Sequence, residues 1–242
     1  MAVMMVAMAP TLVLLHGFTH TGRSWDPVVA ALGERYRALA PDIRGHGRAA
    51  SREPVTLEGV IEDVAESGGE AFTLAGYSMG GRIALHVAAA LAGRVERLVL
   101  VGASPGIADD AERTARREAD ERLADEIEGM DIEAFALRWA SNPLLAGQPA
   151  WVQEDRLRND PVGLARALRG LGTGALVPLW ERLGELHMPI ALVVGDRDVK
   201  FRTIAEEMAE SIAHANVVLV PNAGHAVHLE APQAVAEAIA ER

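Results

Sequence analysis

Gly76-Tyr77-Ser78-Met79-Gly80-Gly81 sets a serine between glycines, and it is the group in this chain whose type and spacing most plainly invite chemistry. A lone hydroxyl is a weak nucleophile and a weak base. It needs an imidazole to take its proton and a carboxylate to orient that imidazole. Downstream, Gly195-Asp196-Arg197-Asp198 offers the carboxylate and Gly224-His225 the imidazole, in the order Ser, acid, His. Either Asp196 or Asp198 could serve, one capping the turn and the other reaching inward. His16, His20, His46, His86, His187, His214 and His228 compete with His225. Of these, His46 sits in a Gly-His-Gly turn, His86 falls mid-helix, and His228 is the nearest rival. An oxyanion would be met by the backbone N–H groups of Met79, which follows the serine, and Phe18, in the loop after the first strand.

These residues need elements to position them. Ala71 to Ala75 reads as a short buried strand and Arg82 to Leu91 as an Ala-rich helix, so Ser78 stands on a strand-to-helix turn at a helix N-terminus. Thr11 to Leu15 is a continuous apolar run, as a central parallel strand requires. Further strands are expected over Tyr36–Ala40, Arg97–Val101, Ile190–Gly195 and Asn216–Val220. Helices are expected over Trp25–Leu32, Leu57–Glu66, Thr203–Ser211 and Pro232–Glu241. Strands alternating with helices imply an α/β fold with a doubly wound, mostly parallel sheet. The rhythm breaks after Ser104-Pro105-Gly106. From Asp109 to about Leu183 the chain reads as helical and charged, with no strand. The expected organisation is a core of residues 1–106 and 184–242 with an inserted helical cap of residues 107–183.

Composition narrows the partners. There is no cysteine, so disulfides and thiolate chemistry are excluded. No ligand cluster or phosphate loop implies a metal or organic cofactor. The formal net charge of -11 disfavours nucleic acid and anionic membranes. The apolar start, Met1 to Pro10, has no basic residue ahead of it and no run reaches membrane-span length, which points to a cytoplasmic protein. Lys200 is the only lysine, and ten of the arginines lie between Arg113 and Arg182. Such a cluster suits a small anionic substrate, because guanidinium pairs well with carboxylate. Whether the chain acts as a monomer or a homo-oligomer is not decided by its sequence.

Over essentially its full length the chain resembles the α/β-hydrolase superfamily. Within it, the chain is most similar to the menaquinone-pathway synthase of 2-succinyl-6-hydroxy-2,4-cyclohexadiene-1-carboxylate. The resemblance is carried by Gly76 to Arg82, Ser104-Pro105-Gly106, Ala115-Arg116-Arg117, Leu157-Arg158-Asn159, Gly172-Thr173-Gly174, Asp198 to Phe201 and Gly224 to His228. It implies α/β-hydrolase architecture and a triad of Ser78, Asp198 and His225, and it is what favours Asp198 over Asp196. It also implies a lyase that removes a ring proton and expels pyruvate from a carboxylated enolpyruvyl cyclohexene, with no water added. Arg82, Arg116 and Arg158 match positions that bind the substrate carboxylates, Tyr77 and Trp139 match pocket-lining positions, and Lys200 matches a lysine beside the acid. Arg82 opposes the dipole of the helix it begins, which a functional task would justify. The arginines of the inserted stretch also have an ion-pair reading, with Glu112, Glu118 and Asp120 at hand. Two features depart from the family: Ala108 stands where relatives can carry a polar group, and Asp109-Asp110 is acidic. A carboxylesterase working through an acyl-enzyme would use the same triad, and a binding protein that kept only the fold would need none of it.

Overall fold

A computed structural model of the chain describes residues 9–145 and 147–241; Met1 to Met8 of the apolar start, with Ala146 and Arg242, lie outside the described residues. Six strands form one parallel sheet: β1 (Thr11–Leu15), β2 (Arg37–Leu39), β3 (Phe72–Tyr77), β4 (Val95–Val101), β5 (Ile190–Gly195) and β6 (Ala215–Val220). Their spatial order is β2-β1-β3-β4-β5-β6. The chain runs one way from β1 to β2 and then crosses back to β3, so the order reverses between β1 and β3. In open α/β sheets, sites lie outside the carboxyl ends of the strands at such a point.

Alternation sorts the strands into two cores. Val13 and Leu15 of β1 join Leu74, Leu98 and Leu192 on one face, while Leu12 and Leu14 join Ala75, Val99 and Val193 on the other. The first face is covered by α2 (Leu57–Gly68), α3 (Met79–Ala90) and α8 (Val199–Ser211), through Val60, Val64, Ile83 and Met208. The second is covered by α1 (Asp26–Leu32) and α10 (Pro232–Ala240), through Val28, Leu32, Val235 and Ile239.

Between β4 and β5 the chain is helical: α4 (Asp110–Glu128), α5 (Ile132–Ala140), α6 (Trp151–Arg156) and α7 (Pro161–Leu171). These helices share a smaller apolar cluster of Ala124, Ile127, Phe135, Leu164, Ala165 and Leu168. Aspartates begin three of them. Asp109, Asp131 and Asp160 accept the backbone N–H groups of Glu112, Ala134 and Gly163 at 2.8, 2.7 and 2.9 Å. Each such cap stabilises by about 1 kcal/mol. The acidic Asp109-Asp110 pair is thereby accounted for, since Asp110 also meets Arg113 at 2.5 Å. No helix among the described residues is long and apolar enough to cross a membrane.

Several boundaries differ from the sequence expectation for local reasons. The helix expected from Thr203 starts at Val199, because Asp198 caps it. The elbow helix starts at Met79, directly after the serine. Strand β2 keeps only three of the five expected residues. A one-turn helix, α9 (Val227–Glu230), follows His225 and has no periodicity that would reveal it in advance.

The elbow rests on a very close approach of backbones. A Cβ on Gly80 would lie 2.2 Å from the carbonyl oxygen of Leu15 and 2.4 Å from that of His16. Neither oxygen can retreat without moving β1. Gly80→Ala is therefore expected to cost about 3 kcal/mol or more, whereas Gly93→Ala, which meets nothing within 4 Å, is near neutral. Chemical unfolding of both variants checks this; equal stability of the two would refute the close-approach argument.

Candidate active site

Four strand ends bring the site together. Ser78 follows β3 with φ +50° and ψ -110°, a conformation that L-residues adopt only under constraint. Its N–H is held by the carbonyl of Val101, at the end of β4, at 2.9 Å, and its own carbonyl accepts Arg82 N–H at 3.0 Å as α3 begins. The side chain is thereby turned out of the backbone and remains partly exposed. His225 Nε2 lies 3.1 Å from Ser78 Oγ, and His225 Nδ1 lies 2.6 Å from Asp198 Oδ2. With Nδ1–H donating to the carboxylate, Nε2 carries the lone pair that can accept the hydroxyl proton.

Asp198 does two jobs with its two oxygens. Oδ1 accepts Phe201 N–H at 3.3 Å and so caps α8, and Oδ2 faces the imidazole. The neighbouring Asp196 makes no hydrogen bond to His225, and among the described residues its Oδ1 is enclosed without a partner. The His225 ring is flanked by Phe201 and Tyr77, with centroids at 4.4 and 5.3 Å. It also rests on Gly102, whose φ is +54° and where a Cβ would come within 3.0 Å of the ring.

Phe18 lies in a turn closed by His20 N–H on Gly17 O at 3.1 Å. Met79 is buried at the first position of α3. Among the described residues, neither backbone N–H of this pair has a backbone acceptor.

Five of the seven rivals, His16, His20, His46, His86 and His228, are buried in the fold. His16 donates from Nδ1 to Gly17 O at 2.9 Å and accepts Ile43 N–H at Nε2, also at 2.9 Å, which ties the loops after β1 and β2 together. Burial pushes His46 and His228 down to about 3 and His86 to about 4, and it also lowers His16 and His20. All are neutral at pH 7. His228 packs on Tyr77 with centroids 4.1 Å apart and makes no hydrogen bond to Ser78.

The cations divide sharply. Arg82 is buried, donates from Nη2 to Leu171 O at 3.1 Å and leaves Nε unpartnered. Burial and the nearby Arg116 lower it to about 10. Arg116 pairs with Asp120 at 2.7 Å, the ion pair that its acidic neighbours suggested. Arg158 is exposed, and its one ion pair among the described residues is with Asp155, at 4.0 Å. No motif in the sequence singles out Arg156. It is 4% exposed, donates to the neutral amide oxygens of Gln148 and Gln153, and lies close enough to Tyr77 for the two to influence each other's ionisation. Burial raises the Tyr77 phenol. Among the described residues, neither Arg82 nor Arg156 has a carboxylate within 4 Å. Trp139 is half-buried against Phe18, centroids 5.2 Å apart. Lys200 is exposed, its Nζ 5.7 Å from the Phe201 ring centroid, and so stands one side chain away from His225.

Helix α6 is bolted to the core beside this arginine. Buried Asp155 accepts Thr21 N–H at 2.9 Å and Thr21 Oγ1–H at 2.6 Å. Asn159 accepts Gly47 N–H at 3.0 Å and donates to Thr19 O at 2.8 Å.

Residues 12–238 match the model of the alpha/beta hydrolase family. A putative 2-succinyl-6-hydroxy-2,4-cyclohexadiene-1-carboxylate synthase of Bacillus subtilis is 35% identical, over 95% of this chain and 88% of that protein. The structure of MenH from S. aureus superposes with a TM-score of 0.90 at 30% identity, covering 98% of this chain and 94% of that one. A thermophilic esterase from Thermogutta terrifontis, solved with malate bound, superposes with a TM-score of 0.74 at 26% identity, covering 96% and 88%.

The buried neutral histidines give the fold a pH dependence. Unfolded, each titrates near its ordinary value of 6.5; folded, His46 and His228 resist protonation down to about 3. The unfolded state therefore binds more protons across that window, and stability falls as pH falls from 6.5 toward 3. The expected slope is about 1.4 kcal/mol per pH unit for each fully neutral histidine. Urea unfolding between pH 7.5 and 5 measures it, and a flat profile would contradict the burial of neutral imidazoles.

Proposed function

The chain belongs to the alpha/beta hydrolase family, and from that premise we propose that it is a carbon–oxygen lyase. It eliminates pyruvate from a carboxylated enolpyruvyl cyclohexene to give 2-succinyl-6-hydroxy-2,4-cyclohexadiene-1-carboxylate. The likeness to the Bacillus subtilis synthase and to MenH from S. aureus supports the pathway assignment. The observation that carries the reading is the pair of buried arginines without carboxylate partners, Arg82 and Arg156. A buried cation is costly unless something pairs with it. A neutral ester would leave both unpaired, whereas a substrate with several carboxylates meets that need.

In the proposed reaction, His225 Nε2 accepts the Ser78 hydroxyl proton, and Asp198 stabilises the imidazolium that forms. Ser78 Oγ removes a ring proton as base. The C–H electron pair becomes a ring double bond, the ring carbon–oxygen bond breaks, and the enolate of pyruvate departs and is protonated. No water is consumed. Negative charge that develops on a substrate oxygen is met by the Phe18 and Met79 N–H groups. Arg82 and Arg156, with Arg116 at the edge, hold carboxylates. Tyr77 and Trp139 bound the pocket. Lys200 supports the far side of Phe201, and Arg158 has at most a peripheral part.

The test is pyruvate release from that cyclohexene substrate, run beside hydrolysis of a short p-nitrophenyl ester. Ser78→Ala is expected to lose at least about 10³-fold in turnover. Arg82→Met and Arg156→Met should each lower kcat/KM for the carboxylated substrate about 10²-fold, the worth of a charge-assisted contact, and leave the neutral ester within about threefold. Arg158→Met should change little. Ester cleavage without pyruvate release would make the chain an esterase, and equal losses on both substrates would remove the anion-site argument.

A further inference from the structure

Glu230 ends α9, five residues after His225, and nothing in the proposed reaction uses it. Its side chain is 8% exposed. Oε2 accepts Gly224 N–H at 2.8 Å and Oε1 accepts Ala226 N–H at 3.3 Å. One carboxylate therefore grips the two peptide N–H groups on either side of His225. Oε2 also meets Arg197 Nη2 at 3.0 Å, and Arg197 immediately precedes Asp198. The Arg197 backbone N–H in turn donates to Ala223 O at 3.1 Å, inside the same histidine loop.

From this arrangement we propose that Glu230 is a positioning residue that fixes the His225 loop to the Asp198 loop and so sets the Ser78–His225–Asp198 geometry. The loop needs such a clamp. Residues 221–226 belong to neither β6 nor α9. Without Glu230, two partly buried N–H donors beside the imidazole would lose their acceptor. A neutral amide cannot replace the carboxylate. It has one accepting oxygen where the site presents donors to both, and its NH2 would face a peptide N–H. A displacement of about 1 Å in such a chain is enough to cost about 10²-fold in rate. Glu230 touches no reacting group, and its effect passes entirely through His225 and Asp198.

The experiment is chosen to be independent of which reaction the chain performs. Labelling of Ser78 by a fluorophosphonate requires only an activated serine. Glu230→Gln is expected to slow the second-order labelling rate about 10- to 100-fold. It should also shift or broaden the downfield proton NMR signal of the short His225 Nδ1–H to Asp198 bond, under conditions where circular dichroism shows a folded protein. Arg197→Met, which leaves both peptide contacts intact, should have a smaller effect on both readouts. If Glu230→Gln lowers only the unfolding temperature, with labelling rate and proton signal unchanged, Glu230 merely stabilises the loop and the proposal fails. If Glu230→Gln cannot be purified folded, Glu230→Asp, which keeps the charge but shortens the reach, takes its place with the same two readouts. Should wild-type Ser78 itself not label, the reactive-serine reading fails first, and the NMR signal alone then tests the clamp.

Discussion

The whole site depends on how closely the first turn of α3 approaches β1. Gly80 brings helix backbone against the carbonyls of Leu15 and His16. With the helix pressed into that corner, the chain has too little room between β3 and α3 for an ordinary bend, and Ser78 takes a positive φ. A non-glycine residue in that conformation costs of order 1–3 kcal/mol, and it persists only because flanking structure overdetermines it. Here the flanks are the Ser78 N–H bond to Val101 and the Arg82 N–H bond to Ser78. The strain is thus held by the sheet, and the reward is a hydroxyl pointing away from backbone competitors, at the positive end of a helix.

Parallel register supplies the rest. Leu15 pairs with Gly76, Tyr77 with Val101, Val101 with Val193, and Gly195 with Val220, so the strand ends advance together along one edge. Loops bearing Phe18, Ser78, Asp198 and His225 must then emerge side by side, although the residues span most of the chain. This is why the order of serine, acid and histidine could be read from a linear sequence. Continuous apolar runs announced the central strands, each run was followed by a loop with polar chemistry, and the α/β connection rule placed all those loops at one edge. The choice between Asp196 and Asp198 was not legible in the same way. Both sit in the right loop, and only three-dimensional structure reveals that the capping residue of α8 and the partner of His225 are the same side chain.

Where local pattern is weak, the sequence was silent. Helix α9 is a single turn, too short for a periodic signal, and Glu230 owes its importance to backbone donors that no side-chain motif encodes. The arginines show a second limit. Leu157-Arg158-Asn159 attracts attention as a family-like segment, yet the buried guanidinium belongs to Arg156. Residues two apart near a helix end point about 200° apart at 3.6 residues per turn. One of the two had to face solvent, and spacing alone does not say which.

What decides between them is Asp155. Its carboxylate is buried and takes both polar hydrogens of Thr21, in the loop after β1. That pair of bonds fixes the rotation of α6 about its axis, with Asn159 adding a second attachment just past the helix end. Once Asp155 faces Thr21, the adjacent Arg156 is carried in beside Gln148 and Tyr77, and Arg158 is left outside. The arrangement explains how an acidic protein keeps a cation available. Most arginines of the inserted helices are neutralised locally, as Arg169 is by Glu121, Asp125 and Glu128 and as Arg116 is by Asp120. Arg156 escapes that fate because the carboxylate next to it in sequence is already committed to the core. The neutral amides that receive its hydrogen bonds orient the guanidinium without cancelling its charge. A cation is kept unpaired here less by adding positive charge than by committing the adjacent carboxylate of Asp155 to the core.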